Sequence, residues 1–479
     1  MENWLTKRAR LTPNRVAVTY QDKELTFLEV NQQAVRVAGK ISAIGDKNDK
    51  IAVIMTNNLS GYLVIMALQQ LGQTIVFINR RLSVDEVNYQ LQDAGVTLLL
   101  TDDAYDGVLA VNRQLKFSSL PEGEKIQPMA EFPDEFVTSI MYTSGTSNRP
   151  KGVMQTFHNH FMSAVGSALN LGVTAEDSWL AVVPIFHISG FSILMRSLIY
   201  GMRVILIDKF DAEKINHMLV HDTITTMSVV PVMLQQLVGQ LSEHANYNRQ
   251  FRAMLLGGGP TNRITLEKAQ SHQIPIIQSY GMTETASQVV ALDAASITTK
   301  LGSVGKPLFP VSVEIRDTQG KPATTGNIWI KTPTLTVGYL NNSQQLSNNI
   351  VDGWFNTEDF GYFDADGFLY IQGREGDMIS SGGENIFPDE VELTYANMPG
   401  LDAIVVFGVA DDKWGSVPVA VVSDTHVSAC QLRQFGREKL AHYKVPQHFY
   451  VAKQWYRTAS GKVQRRYFAA DVPELEELQ

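Results

Sequence analysis

A chain of 479 residues is longer than one ordinary hydrophobic core, so two or more domains are expected. Its 44% hydrophobic and 19% charged residues exclude a disordered polypeptide. A net charge of −9 and a pI near 5.6 exclude nucleic acid as a general partner, because a phosphate backbone needs a basic face.

The lone cysteine, Cys430, rules out a disulfide framework or a zinc cluster and fits a cytoplasmic setting. No apolar run has membrane-spanning length, and the first residues, MENWLTKRARLTPNR, lack the apolar core of a signal peptide.

From residue 50 the chain alternates short apolar strands with helices. KIAVIMTN, QTIVFIN and VTLLLTD read as buried strands; LSGYLVIMALQQLG and the serine-capped SVDEVNYQLQDAG read as helices. Uninterrupted apolar strands imply a parallel sheet covered on both faces. An acidic connector, PEGEKIQPMAEFPDE, separates this unit from a second one. There the strands are VTSIMYTS, SWLAVVP, RVILID, ITTMSVVP, RAMLLGG and PIIQSYG, with helices near 157–171, 188–200, 232–241 and 263–272.

From about 302, VSVEIRD, GNIWIKT and GFLYIQG alternate at period two between turn residues, which is an antiparallel pattern. After GREGD a smaller α+β segment follows, with a helix opening at Pro388 and a strand in DAIVVFGVAD. The expected fold is α/β. A large N-terminal domain of two α/β units plus a small β-barrel-like part (1–374) precedes a small mobile α+β C-terminal domain (375–479).

Four segments carry chemistry. YTSGTSNRPKG at 142–152 gathers hydroxyls, a glycine and Lys151 after a strand. Successive backbone N–H groups there would make an anion nest for a nucleotide triphosphate, or the stretch is a surface loop. It lacks the Gly-Lys-Ser/Thr ending of the standard phosphate loop.

SYGMTET at 279–285 offers Tyr280 for stacking on a base, Thr283 for a phosphate and Glu284 for Mg²⁺, or forms a plain strand-to-loop turn. WFNTEDFGYFD places Asp359 where it would take ribose hydroxyls or act as a turn acid. TASGKVQR holds Lys462 on a polar loop, where it would otherwise be a solvated lysine.

In this order the segments resemble the acyl-adenylate-forming superfamily of acyl-CoA ligases, peptide-synthetase adenylation domains and luciferases, and the resemblance runs over nearly the whole chain. It implies that Thr143, Ser144, Gly145, Thr146 and Lys151 hold the ATP phosphates and that Thr283 also faces the nucleotide. Tyr280 would stack near adenine, Gly258 and Gly259 of LLGGGP would line the adenine and acyl pocket, and Gly281 would border the acid. Asp359 and Arg374 would hold the ribose, Glu284 would bind Mg²⁺, and Lys462 would meet the α-phosphate. The small domain would pivot near Gly376, bringing Gly382, Gly383 and Glu384 of SSGGEN toward the pantetheine arm of coenzyme A.

Three positions depart from the family pattern: Ser147–Asn148 stand where Thr-Gly is usual, Glu358 where a glycine is usual, and Gly376 where Asp or Lys is common.

PIFHISG, SLIYGM, KLGSVGKPLF and SGGENIFPDEVE also resemble bacterial 2-succinylbenzoate–CoA ligases of menaquinone synthesis. That resemblance implies a substrate with two carboxylates. His187 and Arg196 would help hold the second, or they are a packed histidine and a solvated helix arginine. The small-molecule partners implied are 2-succinylbenzoate, ATP and coenzyme A, with Mg²⁺; a homo-oligomer stays open. Two alternatives remain: a ligase for another aryl or fatty acid, and a nucleotide-binding regulator without turnover.

Overall fold

The computed structural model describes residues 1–46, 48–143, 150–423, 427–456, 463–471 and 475–478. The alternating pattern folds as its burial demands. Strands Thr74–Phe77, Leu98–Thr101, Ser178–Ala181, Thr226–Val229 and Ala253–Leu256 are buried at every position. Each is buried on both faces and lies in a parallel ladder. Helix boundaries follow local chemistry. Ser83 and Glu86 form a reciprocal cap at the start of Val84–Ala94, and Gly95 closes it in the left-handed conformation at φ 62°.

Among the described residues the strands form two large sheets and two small ones. The first large sheet has Lys50–Ile54, Thr74–Phe77, Leu98–Thr101 and Val137–Thr143 as parallel members, with Lys151–Thr156 antiparallel to the last. The second contains the parallel strands Arg203–Leu206, Ser178–Ala181, Thr226–Val229, Ala253–Leu256 and Ile276–Met282.

Two features differ from the sequence reading. The described residues before Lys50 form elements of their own: Val16–Tyr20 pairs parallel with Arg203–Leu206 and so extends the second sheet, not the adjacent first. The antiparallel strands after 302 also continue that sheet, because Ser303–Pro307 pairs with both Ser287–Leu292 and Leu369–Arg374.

One apolar core runs between the two sheets, with Phe77 of the first against Phe191 of the helix Ile188–Tyr200 at 4.9 Å between ring centres. Separate clusters, one of them around Val391, Tyr395, Val406 and Phe449, form the cores of the C-terminal segment. Among the described residues no helix is long and apolar enough to cross a membrane.

Candidate active site

Parallel strands expose the loops after their carboxyl ends, where α/β folds collect ligands. Three of the predicted segments leave the second sheet at that edge. Ser178–Ala181 leads to His187, Ala253–Leu256 to Gly258 and Gly259, and Ile276–Met282 to Glu284. Gln278 Nε2 reaches the Gly259 carbonyl at 3.4 Å, tying two of these segments together. Gly258 has φ 87°, a conformation only glycine takes without strain. At Gly281 a Cβ would fall 2.0 Å from the Ser287 carbonyl oxygen, so no side chain fits.

The strands on either side of the predicted phosphate segment, Val137–Thr143 and Lys151–Thr156, pair antiparallel. Thr143 pairs with Lys151 across the antiparallel ladder, and Ser144, Gly145 and Thr146 lie outside the described residues. The first strand is pinned by the Tyr142 hydroxyl, which donates to Asp93 Oδ2 at 2.7 Å. Lys151 Nζ sits 5.2 Å from the ring centre of Tyr339. The Tyr339 hydroxyl in turn donates to Glu284 Oε1 at 2.9 Å. The turn carrying Thr283 and Glu284 is held by its backbone: Gln155 Nε2 donates to the Thr283 carbonyl and the Thr336 N–H to the Glu284 carbonyl, both at 2.7 Å.

A second group adjoins this one. Asp359 and Arg374 face each other in the ladder between Trp354–Phe363 and Leu369–Arg374, with Arg374 Nε 3.3 Å from Asp359 Oδ1. Tyr280 donates its hydroxyl to Asp359 Oδ2 at 2.6 Å. Burial first, and then the Asp359 charge, push the Tyr280 phenol far above its usual range, so it stays a donor.

Burial pulls the Arg374 pKa down, but Asp359, Glu284, Tyr280 and Asp377 outweigh it and raise it overall. Tyr280 and Glu284 lie on one continuous segment, the strand Ile276–Met282 and the turn Thr283–Thr285 after it, which joins the two groups into one site. Asp359 is neither a turn acid nor free: it lies within a strand, 7% exposed, with each oxygen already engaged. Glu358 beside it adopts φ 62° and accepts from Asn349 Nδ2 at 3.1 Å. This left-handed backbone explains why a glycine would be at ease there.

His187 caps the helix Ile188–Tyr200, packs on Phe186 and has a buried Nε2 without a hydrogen-bond partner. Burial, and then the Arg81 cation, push its pKa down to about 4. The ring is neutral near pH 7, so it can bond a carboxylate but does not bring a cation to it. Its segment is positioned by buried Asn57. The Asn57 amide donates to the Ala181 and Val183 carbonyls and accepts from the Ile185 N–H at 3.0 Å.

Arg196 is not a solvated helix arginine. It is 1% exposed, with Nη2 3.2 Å from Ser287 Oγ, its guanidinium 5.2 Å from the Trp179 ring and Nε unpartnered.

Lys462 lies outside the described residues. Gly376 sits in the turn Glu375–Asp377, where an added Cβ meets open space. Gly382 and Gly383, at φ 60° and 89°, form the turn between Ile379–Ser381 and Glu384–Ile386, with Trp414 packed over Gly382. Among the described residues no hydrogen bond or ion pair joins Gly382, Gly383 or Glu384 to the Glu284 and Asp359 groups. Sequence reasoning missed Tyr339, Gln155 and Asn57. Only Tyr339 had a local signal, as an aromatic in a Gly-Tyr pair after a threonine-rich turn.

Residues 5–340 match the family model for the AMP-binding enzyme, and residues 390–462 the model for the AMP-binding enzyme C-terminal domain. The chain belongs to the AMP-binding enzyme family.

Within this family it is similar to the 2-succinylbenzoate–CoA ligase of Listeria monocytogenes, at 44% identity over 97% of this chain and 98% of that one. Among solved structures it is similar to the o-succinylbenzoate CoA synthetase of Bacillus subtilis. In complex with the acyl-adenylate OSB-AMP that enzyme gives a TM-score of 0.93 at 38% identity, covering 98% of each chain. In complex with ATP and magnesium ion the TM-score is 0.92, covering 97% of this chain and 99% of that one. A double mutant bound to the product analogue OSB-NCoA gives 0.77 at 37% identity over 100% of each chain. This AMP-binding enzyme therefore has an overall arrangement nearer the acyl-adenylate complex than the product-analogue complex.

Proposed function

We propose that the protein is a 2-succinylbenzoate–CoA ligase of menaquinone biosynthesis, working in the cytoplasm through an acyl-adenylate. The succinyl carboxylate attacks the α-phosphorus of ATP, the bond to the bridging oxygen breaks, and pyrophosphate leaves. The thiol of coenzyme A then attacks the acyl carbon and loses its proton, the carbon–oxygen bond breaks, and AMP leaves.

The observation that carries this reading is that the Lys151–Tyr339–Glu284 and Tyr280–Asp359–Arg374 groups meet on the segment that runs from Tyr280 to Glu284. Four segments distant in sequence supply a cation, a hard oxygen ligand and a carboxylate–guanidinium pair in one place. Lys151, with Thr143, Ser144, Gly145 and Thr146, receives the phosphates; Gly258 and Gly259 border the adenine. Asp359 and Arg374 receive the ribose, with Tyr280 holding the carboxylate in place.

Glu284 suits Mg²⁺. It is a hard ligand, and among the described residues no cluster of three acidic, histidine or cysteine side chains could hold a metal alone. Such an ion would be bound chiefly by substrate phosphates and water. Bound there, Mg²⁺ would neutralise charge developing on the phosphate oxygens. Lys462 meets the α-phosphate in the first half-reaction, and rotation about Gly376 then replaces it with the Gly382–Glu384 face.

Arg196 and neutral His187 take the ring carboxylate. A buried guanidinium whose ionisable neighbours are Tyr200 and His160, rather than an acid, favours an anionic substrate over a fatty acid.

The test is a panel of carboxylic acids in ATP–pyrophosphate exchange, followed by product analysis with coenzyme A. The expected outcome is turnover of 2-succinylbenzoate with AMP and pyrophosphate. ADP and phosphate as products would refute the scheme, and no exchange with any acid would favour the regulator.

A further inference from the structure

We propose that Tyr339 is a positioning residue for adenylation, its hydroxyl orienting the Glu284 carboxylate toward a divalent cation and its ring fixing the height of Lys151. The inference rests on the metal role given to Glu284 above. Glu284 lies on the three-residue turn Thr283–Thr285 and is half-buried. Nothing in such a short turn fixes a long carboxylate side chain, and glutamate has many rotamers to lose. Tyr339 supplies the restraint. Its hydroxyl takes Oε1 at 2.9 Å, and among the described residues no hydrogen bond or ion pair engages Oε2. One oxygen is anchored and the other is left for a ligand.

The same ring does a second task. Its face lies 5.2 Å from Lys151 Nζ, in cation–π range. The contact is built in by backbone register. Gly338–Tyr339 pairs antiparallel with Lys151–Thr156, setting Tyr339 opposite Val153, two residues along from the lysine. Tyr339 is 6% exposed and packs with Val153, Leu346 and Phe355, so the ring is itself held rigidly. A phenol keeps its proton near neutral pH, so the hydroxyl is the donor and the carboxylate the acceptor. One side chain thus registers the phosphate-side cation against the metal-side carboxylate, although the two come from segments far apart in sequence.

The experiment compares Tyr339→Phe, Tyr339→Leu and Glu284→Gln in the full-length protein. Calorimetry measures ATP binding against Mg²⁺ concentration. Kinetics separate ATP–pyrophosphate exchange from thioester formation on supplied acyl-adenylate. Losing a hydrogen bond to a charged acceptor should raise the Mg²⁺ needed for half-maximal ATP binding about tenfold in Tyr339→Phe. Melting temperature should barely change, because the ring remains. The kinetic loss should fall on adenylation. Tyr339→Leu should also weaken binding of pyrophosphate alone, as Lys151 loses its support.

Wild-type Mg²⁺ dependence in Tyr339→Phe, or equal loss in both half-reactions, overturns the proposal. If Glu284→Gln also leaves Mg²⁺ dependence unchanged, the metal assignment itself fails. If Glu284→Gln shifts it and Tyr339→Phe does not, only the role of Tyr339 fails.

Discussion

Replacing Arg196 by methionine separates a binding cation from a structural one. The side chain is 1% exposed, stacked on Trp179, and engaged by one neutral hydroxyl at 3.2 Å. Burial lowers its pKa, yet guanidinium deprotonation lies far above neutral pH, so it stays charged. A buried charge without an acid partner weakens the unliganded protein, and exchanging it for an apolar group of similar length should be neutral or stabilising. In the proposed substrate complex the balance would reverse, because the ring carboxylate would supply the missing anion. Losing a charge-assisted hydrogen bond costs about 1.5–3 kcal/mol. That corresponds to a rise of roughly 10- to 150-fold in the KM for 2-succinylbenzoate. The KM for ATP should scarcely move. The assay is ATP–pyrophosphate exchange with 2-succinylbenzoate and with an analogue lacking the ring carboxylate, alongside thermal melting without ligand. Arg196→Met should keep or raise the melting temperature and lose the preference between the two acids. If it melts lower and still discriminates fully, Arg196 is a structural residue and the argument fails. If the wild-type enzyme does not distinguish the acids, a generic aryl-acid ligase replaces the assignment.

Lys462→Ala should slow adenylation by on the order of 10²–10³, as for one preorganised donor removed, while sparing thioester formation from supplied acyl-adenylate; equal damage to both would contradict alternation of the two conformations. Acid should destabilise the fold. His187 and His160 have pKa values pushed down to about 4 and about 3, in each case by burial first. Between those values and the ordinary value near 6.5 the unfolded chain binds protons that the folded chain does not, so stability falls as pH drops through this window. Urea unfolding of His160→Gln should show a shallower acid slope than the wild type, and an unchanged slope would assign the effect elsewhere.

What the sequence reveals of this site follows from the range of each interaction. Tyr280, Glu284, Asp359 and Arg374 sit in ordered motifs, and the structure brings them together. Tyr339 and Asn57 are different. Their partners Glu284 and Ile185 lie 55 and 128 residues away, so only tertiary folding shows what they orient. Arg196 did carry a signal, as a cation amid the apolar run ISGFSILM and SLIY, which reads as a helix buried on all sides. The strand Val16–Tyr20 could not be placed from its own residues, because its β-propensity does not say which of two sheets has a free edge. The strand Lys151–Thr156, KGVMQT, is short and mixed in polarity, so its antiparallel return was not legible in the sequence.

The pivot proposed at Gly376 is supported by the side to which each of its neighbours is bonded. Glu375 Oε2 accepts from Asn327 Nδ2 at 2.8 Å, and Asn327 belongs to Thr325–Lys331 of the large sheet. Asp377 pairs instead with Arg465 at 3.1 Å, and Arg465 also binds Asp389 and Glu392 of the helix Pro388–Tyr395. Glu375 is thus fastened to the large unit and Asp377 to the small one. A rotation that kept both sets of bonds would have to be absorbed by the residue between them, where an added Cβ touches nothing and backbone freedom is greatest. The Arg465 cluster is half-buried and carries three carboxylates on one guanidinium, so breaking it would leave uncompensated charge and cost several kcal/mol. The contacts that would have to give way are cheaper. One is the bond from the Arg263 N–H to Asn397 Oδ1, at 3.1 Å and exposed to water, which exchanges readily for solvent. A small unit turning about Gly376 as proposed would thus move as a rigid body, carrying Asp377 and Arg465 with it and leaving Glu375 behind.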